Sequence, residues 1–401
     1  MSLQSIRVVD VSSFFSSSCG GIKRYYTEKA RFLDPQRVEC HFVVPGPVTR
    51  VTPFGNGWLH ELEGPLLAGN DSYRRFALNG GLERKLRDLE PDVVELASHY
   101  HLPYMVKRAV ASLPIPPALV GFFHSHPRQV VQNVTAMLPW NLGADVLSGV
   151  MWRFAAWQHE DYDATLVASG HMQDAAAEHN IHRVHNVGLG VDVDTFAPRR
   201  RDSGAALFVT YAGRFTRDKE LPLLLNAFAS VHARTGARLR LVGEGPLRKK
   251  LTMAAQDRPW LSVHEPVTRR EEMAELLSQS TAVVVPSHAE TFSFVTAEAM
   301  ACGTPVVGAD AGAVKDLVEK SGCGVTFTAA NAISLAGALE MLLLHSRADR
   351  EVMGERGRAY ILRHLTWPAV LRRLSYAYHE ALVHKGTRRL EPTQPVAGAV
   401  A

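Results

Sequence analysis

The chain has 401 residues, of which 46% are hydrophobic and 21% charged, and this size and composition suit a soluble protein with two domains. Its net charge of +4 comes from dispersed Arg and Lys, so a nucleic-acid partner is not demanded. No apolar run reaches the roughly 18 residues that span a bilayer, no signal-peptide pattern opens the chain, and the four scattered cysteines favour reduced thiols in the cytoplasm over a disulfide framework or a zinc site.

Short apolar runs alternate with helical patterns, which predicts βαβ units and parallel sheets. In chain order the predicted strands are IRVVDV, CHFVVPG, VVEL, ALVGFFHS and ATLVAS, and after a turn-rich segment LFVTYAG, RLRLVGEG, LSVHEP, TAVVVPS and TPVVGA. We therefore predict an α/β fold with two doubly wound domains. The predicted divisions are residues 1–187, a linker over 188–206, a second domain over 207–366, a final helix over 367–386 and a mobile tail over 387–401.

The first strand is followed by a glycine pair, Gly20 and Gly21, and then by a helix near 22–33. Doubly wound sheets bind ligands at the carboxyl ends of their strands, and glycines before a helix N-terminus allow an anion to approach. The alternative is an ordinary tight turn, and GxGxxG is absent. The same helix carries a predicted basic face that would rest on anionic lipid or, as the alternative, on solvent; its members are Lys23, Arg24, Lys29 and Arg31.

Two histidines end a strand of the first half in FFHSHP. His124 would reach a reacting group opposite the second domain, with a structurally satisfied histidine as the alternative, and His126 is interpreted as structural. Two DxD tripeptides, at 161–163 and 192–194, resemble metal-binding pairs. We interpret neither as a metal site, because the pair at 192–194 falls in the linker, where Asp forms turns, and the pair at 161–163 precedes a strand rather than following one. No His/Cys ligand cluster argues for a metal either, and so we predict no metal site.

In the second half, Arg214 and Lys219 follow the strand LFVTYAG on one loop. Two cations at this place can hold a diphosphate: the planar guanidinium of Arg can donate two parallel hydrogen bonds, and the ammonium of Lys provides a compact positive charge. A solvated charged loop is the alternative. The segment LVGEGP repeats the pattern of a glycine at a strand end one unit later, and this repetition favours the diphosphate interpretation.

The segment ETFSFVTAE follows the predicted buried strand TAVVVPS. We predict a helix from about Ser293 to Cys302 whose N-terminus offers backbone N–H groups to anions. Glu290 then lies outside the helix and Glu298 about one turn inside it. The two carboxylates fit a nucleotide sugar, one accepting hydrogen bonds from sugar hydroxyls and the other from ribose. One surface Glu and one Glu near a helix start remain the alternative.

These motifs together resemble the retaining glycosyltransferases of family 4 (glycosyltransferase group 1). The resemblance is strong over about 185–367, through GVDVDTFAP, GRFTRDKELPLLLNAF, LVGEGP and ETFSFVTAE followed by AMACGTPVVG. It is looser in the first half, through DVSSFFSSSCGGIKRYYTEKA and FFHSHP. It implies the GT-B fold, in which two Rossmann-like domains face each other across a cleft and the final helix crosses back to the first.

The resemblance also implies a role for each matching residue. Arg214 and Lys219 would bind the donor diphosphate, Glu298 the ribose and Glu290 the sugar hydroxyls, with His124 beside the donor sugar. The remaining donor contacts would come from Gly20, Gly21, Pro266, Val267, Phe292, Ser293, Phe294 and Val295. Relatives often have Phe-Gly-Leu after the first Glu, where this chain has Phe-Ser-Phe, and this departure leaves the donor sugar open.

The function implied is transfer of a hexosyl group, with retention, from UDP-glucose, UDP-glucuronate or GDP-mannose. The acceptor would be a hydroxyl of a lipid or lipid-linked molecule in glycolipid or glycan biosynthesis, and no cofactor or metal is expected. The protein would be cytoplasmic, with peripheral contact at the inner face of an anionic membrane left open. A non-catalytic nucleotide-sugar sensor and a GT-B-fold epimerase are the alternatives.

Overall fold

The computed structural model describes residues 5–15, 21–67, 73–97, 102–124, 126–127, 131, 144–200 and 206–386. Gly20 and the predicted tail 387–401 lie outside these residues. Within them, the chain forms two α/β units, each built on its own sheet.

The first sheet has the order β3-β4-β2-β1-β5-β6-β7-β8. Its strands are β1 (Ile6–Val11), β2 (Val38–Gly46), β3 (Arg50–Phe54), β4 (Gly57–Glu63), β5 (Val93–Leu96), β6 (Ala118–Phe122), β7 (Ala164–Val167) and β8 (Val184–Asn186). Its helices are α1 (Gly21–Phe32), α2 (Gly81–Leu89), α3 (Leu102–Ala111), α4 (Ala144–His159) and α5 (Gly170–Glu178). All neighbours are parallel except β3, which pairs antiparallel with β4 at the edge.

The second sheet has the order β11-β10-β9-β12-β13-β14, and all its strands are parallel. Its strands are β9 (Phe208–Ala212), β10 (Arg238–Val242), β11 (Leu261–His264), β12 (Ala282–Val285), β13 (Val306–Ala309) and β14 (Gly324–Phe327). The helices are α6 (Leu221–Thr235), α7 (Arg248–Gln256), α8 (Arg270–Gln279), α9 (Phe294–Ala301), α10 (Gly312–Ser321), α11 (Ala332–Leu344), α12 (Arg347–His364) and α13 (Trp367–Lys385).

Helices cover both faces of each sheet, so successive strand residues are buried on opposite sides. On β1, for example, Val8 and Val9 are both fully buried but belong to different apolar cores. The core that contains Val8 continues into the second unit, where it includes Met300 and Val306. The two sheets are therefore joined through a shared apolar interior.

The final helix α13 crosses back to the first unit, as predicted, and packs on β6, β7 and α1. A buried polar network fastens it there. Lys29 on α1 donates to both carboxylate oxygens of Asp10 on β1, at 2.7 and 2.8 Å, and to Glu95 on β5, at 3.2 Å. Tyr378 of α13 is 2.5 Å from Lys29 and also donates to Glu95. Lys29 is the counter-charge that both carboxylates share. Burial, together with the neighbouring Glu95, raises the pKa of Asp10 well above its usual range, so the network disfavours a second buried negative charge.

This network corrects the prediction of a basic face on α1. Lys29 is fully buried, and Arg24 is mostly buried in an ion pair with the second unit. Arg31 is exposed but pairs with Asp192 of the linker at 3.3 Å. The helix therefore directs these cations towards carboxylates of the protein. Among the described residues, no helix combines the length and apolar character needed to cross a bilayer.

Candidate active site

The loop after β9 and the loop after β12 meet at the carboxyl edge of the second sheet, because these two strands are neighbours. Lys219 comes from the first loop and Glu290 from the second. The Lys219 Nζ lies 2.7 Å from Glu290 Oε1 and 3.2 Å from Asp218 Oδ2. The side chain of Lys219 is 11% exposed and that of Glu290 is 20% exposed. The pair is therefore partly desolvated, and its electrostatic interactions are stronger than in water. The structure thus brings together two residues that the sequence predicted separately.

Local hydrogen bonds hold the two loops in place. Lys219 ends a short 3₁₀ helix, Arg217–Lys219. Glu220 follows with a left-handed backbone conformation and is the N-cap of α6, which begins at Leu221. Ser287 donates to the carbonyl of Asp218 at 2.9 Å. His288 Nδ1 lies 2.5 Å from the carboxylate of Glu220. The position of Lys219 is therefore fixed by residues on both loops.

Helix α9 begins at Phe294 and points its N-terminus at this place. Ser293, which precedes it, has φ +68°, and no side chain caps the helix. Uncapped N–H groups at a helix start are a ready anion site, so the feature supports the predicted phosphate contact. Ser293 occupies the position where the Phe-Gly-Leu pattern of the resemblance has glycine. It holds the left-handed backbone that glycine adopts most easily, and its hydroxyl bonds to Thr296 at 2.8 Å.

The backbone of Glu290 rests on the start of α10. Ala313 N donates to the Glu290 carbonyl at 2.9 Å. Gly312 has φ +63°, and a Cβ there would lie only 2.9 Å from the same carbonyl oxygen. A side chain at Gly312 would displace Glu290, and the close approach of the two segments explains the glycine.

Glu298 lies inside α9, as predicted, but its partner comes from the first unit. Arg24 Nη1 of α1 is 2.5 Å from Glu298 Oε1. The guanidinium also stacks over the ring of Phe294 at 4.3 Å. Arg24 was predicted only as part of a basic helix face and not as a site residue, although it lies three positions after Gly21.

His124 faces the second unit across the cleft, where its carbonyl accepts a hydrogen bond from Thr291 at 3.4 Å. Its ring packs against Phe122 and Tyr25, with centroid distances of 4.1 and 5.3 Å. Burial lowers the pKa of His124 to about 4; Lys29 acts in the same direction and Glu95 against it. The imidazole is therefore neutral near pH 7 and can polarise a ligand only as a neutral hydrogen-bonding group.

This shift predicts a pH-dependent stability. Between pH 6.5 and 4 the unfolded chain protonates this histidine but the folded chain does not, so acidification favours unfolding. We expect His124→Gln to reduce the loss of unfolding free energy between pH 7 and pH 4.5 by on the order of 2 kcal/mol. Urea titrations at the two pH values measure it, with the exposed His182→Gln as control. An unchanged pH dependence in His124→Gln would contradict the lowered pKa.

Among the described residues, no contact assigns a donor-binding role to Arg214, Gly21, Pro266 or Val267. Arg214 is exposed, and its carbonyl accepts a hydrogen bond from Tyr211 at 2.8 Å. Gly21 begins α1 with open space where a Cβ would stand. Pro266 is exposed and Val267 half-buried after β11. The predicted base contact therefore stays a prediction.

The DxD carboxylates have structural partners. Asp192 accepts hydrogen bonds from the backbone N–H groups of Asp194 and Thr195, which makes it a turn residue as interpreted. Asp163 accepts from the backbone of Leu119, and Asp161 pairs with Lys107 at 2.8 Å. Across the described part of the chain, no group of three His, Cys, Asp or Glu residues has the arrangement of a metal site.

Comparison with known proteins identifies the family. Residues 19–195 match the model described as Glycosyltransferase Family 4, and residues 206–345 match Glycosyl transferases group 1. A GDP-mannose-dependent alpha-mannosyltransferase of Mycolicibacterium smegmatis is 30% identical over 76% of this chain and 77% of its own length. A GDP-mannose-dependent alpha-(1-6)-phosphatidylinositol dimannoside mannosyltransferase of Mycobacterium tuberculosis is 25% identical over 78% of this chain and 82% of its own.

Among solved structures, sucrose-phosphate synthase from Thermosynechococcus elongatus superposes with a TM-score of 0.73. The match covers 94% of this chain and 99% of that one at 16% identity, and it shows the GT-B fold. The sequence motifs, the two facing α/β units and the matched family models agree. The chain is a glycosyltransferase that belongs to family 4 and has the GT-B fold.

Proposed function

We propose that this glycosyltransferase moves a hexosyl group, with retention, from a nucleotide-diphosphate sugar to a lipid or lipid-linked acceptor. The observation that carries the proposal is the contact of Lys219 with Glu290 beside the uncapped start of α9, opposite His124. A cation, a carboxylate and free helix N–H groups offer partners for a diphosphate and a sugar hydroxyl within one cleft.

The mechanism that we propose follows the charges of the reaction. The bond between the anomeric carbon and the diphosphate oxygen breaks, which leaves negative charge on the diphosphate and positive character on the ring. Lys219, Arg214 and the start of α9 stabilise the leaving group, and neutral His124 lies on the sugar side. The acceptor oxygen attacks from the same face and transfers its proton to a diphosphate oxygen, so the configuration is retained without an enzyme nucleophile.

For the donor, GDP-mannose is our first candidate, because the two mannosyltransferases reported above are named as GDP-mannose-dependent. UDP-glucose and UDP-glucuronate remain the other candidates. Thermal unfolding in the presence of each donor tests this directly. A ligand that binds only the folded state at 100 times its Kd stabilises it by about 2.7 kcal/mol, so the correct donor should raise the Tm by several degrees.

The acceptor proposal is supported by the relative named for its action on a phosphatidylinositol dimannoside. We place the enzyme in the cytoplasm, at the inner face of the membrane that carries such an acceptor. Donor turnover with and without a lipid extract distinguishes the alternatives. A transferase consumes the donor when acceptor is added, an epimerase converts it without acceptor, and a sensor leaves it unchanged.

We also propose that catalysis needs no metal ion, because the DxD carboxylates have protein partners. The expected result is that transfer proceeds at an unchanged rate in excess EDTA. Rates before and after chelation, followed by addition of Mg²⁺, measure this. A strict Mg²⁺ requirement would contradict the proposal and would point to carboxylates other than those whose partners are described here.

A further inference from the structure

Arg24 extends from the first unit into the predicted donor site of the second. It lies on the first turn of α1, directly after the glycine segment predicted to approach phosphate. Its side chain is 22% exposed, and that of its partner Glu298 only 8%. The carboxylate predicted to bind the donor ribose is therefore paired with an arginine of the first unit.

The guanidinium is incompletely satisfied. Nη1 pairs with Glu298, but Nε and Nη2 are buried and have no hydrogen-bond partner among the residues that the structure describes. The group is within cation–π distance of two aromatic rings, 4.3 Å from the centroid of Phe294 and 5.8 Å from that of Phe196. A buried N–H without a partner is energetically unfavourable, and more so in a charged group. Aromatic stacking holds the cation in place while these donors remain unused.

The ligand that best fits these donors carries several acceptor oxygens and negative charge. Arginine presents its N–H groups as a planar fork that matches phosphate. The neighbouring N-terminus of α9 favours an anion at the same place. Phe294, the first residue of α9, provides the ring on which Arg24 stacks, so the guanidinium is held beside the start of that helix.

We propose that Arg24 is a donor-binding residue supplied by the first domain, and that it contacts the diphosphate of the nucleotide sugar. This inference rests on the proposed function. When the donor binds, its ribose hydroxyls donate hydrogen bonds to Glu298 in place of Arg24. The guanidinium of Arg24 then donates its N–H groups to the phosphate oxygens. Both domains then hold the same diphosphate, Arg24 from one side and Lys219 from the other. Donor binding therefore replaces the ion pair between Arg24 and Glu298 with contacts from each of these residues to the donor.

The alternative is that Arg24 only fastens the two domains together and competes with the donor for Glu298. The two roles predict opposite signs when the charge is removed. If Arg24 binds the diphosphate, Arg24→Ala loses a charge-assisted hydrogen bond and weakens nucleoside diphosphate binding by about tenfold or more. If Arg24 only competes for Glu298, the same change frees that carboxylate and strengthens binding.

The experiment measures by calorimetry the affinities of GDP and UDP, and of guanosine and uridine as probes without phosphate. Arg24→Ala is compared with Arg24→Met, which keeps an apolar stem against Phe294 if the alanine variant folds poorly. Arg31→Ala is the matched control, because Arg31 lies about two turns along the same helix and pairs with Asp192 of the linker. Thermal unfolding verifies that each variant folds.

We expect the nucleoside diphosphate that binds the wild type to bind at least about tenfold more weakly to both Arg24 variants. The nucleoside should bind with unchanged or higher affinity, because Glu298 is freed for the ribose, and Arg31→Ala should bind both probes like the wild type. Unchanged or tighter diphosphate binding in the Arg24 variants would overturn the inference, and so would equal losses for nucleoside and diphosphate. Wild-type protein that binds neither GDP nor UDP, nor their sugar conjugates, would instead overturn the proposed function itself. The two failures are therefore distinguishable.

Discussion

Lys219→Ala should reduce transfer by a factor of roughly 10² to 10³ while the protein stays folded. Lys219 carries the cation closest to Glu290, and its charge faces the place where the leaving diphosphate becomes more negative. Removing one preorganised group that stabilises developing charge typically costs about 2.7–4 kcal/mol in the transition state. Initial rates with saturating donor and acceptor measure the loss, and circular dichroism with thermal unfolding verifies the fold.

Arg217→Ala is the matched control for Lys219→Ala. Arg217 belongs to the same 3₁₀ helix and also carries a positive charge, but its side chain is exposed. A general loss of positive potential would affect both variants alike. A specific contact with the diphosphate would affect only Lys219. Near-normal activity in Lys219→Ala would therefore remove this loop from the donor site, whatever the result for Arg217.

The fold was largely predictable because buried parallel strands are continuous apolar runs. The strand AVVV at 282–285 is one example, and all four of its residues are buried. The β3–β4 hairpin was not predicted. Its strands mix charged, aromatic and apolar residues, and Pro53 interrupts the first. The two-residue loop of Gly55 and Asn56 was the available signal, since glycine at φ +58° suits a tight hairpin turn.

The wrong prediction for α1 also had a readable signal. Ile22, Tyr25, Tyr26 and Ala30 form an apolar stripe, and Lys29 lies within it rather than opposite it. A lysine on a core-facing stripe requires a buried counter-charge. Two carboxylates in apolar strands, those of Asp10 and Glu95, provide it.

The roles of the predicted site residues stay predictions, and the contacts that the structure shows between these residues depend on tertiary structure. Lys219 meets Glu290 only because β9 lies next to β12, and the order of strands in a sheet cannot be read from the runs themselves. Arg24 meets Glu298 only because the two units face each other. No local pattern links residues so distant in the chain, so these contacts could not have been predicted.

Glu298→Ala and Glu290→Ala should impair the enzyme in different ways. If Glu298 binds the ribose, its loss weakens the nucleoside diphosphate and the complete donor alike, by roughly 1.5–3 kcal/mol for a charge-assisted hydrogen bond. If Glu290 binds the transferred sugar, its loss leaves the affinity for nucleoside diphosphate almost unchanged, because that product lacks the sugar. The rate of sugar transfer should nevertheless fall about 100-fold or more, since the sugar is no longer oriented over the diphosphate.

The structure supports this division because each carboxylate has its own cation. Glu298 pairs with Arg24 and Glu290 with Lys219, so neither variant removes the partner of the other. In Glu290→Ala, Lys219 keeps Asp218 at 3.2 Å and stays available to the diphosphate. Calorimetry with the nucleoside diphosphate and single-turnover rates separate binding from chemistry, with the exposed Glu319→Ala as control. Equal losses of diphosphate affinity in both variants would mean that the two carboxylates contact the same part of the donor.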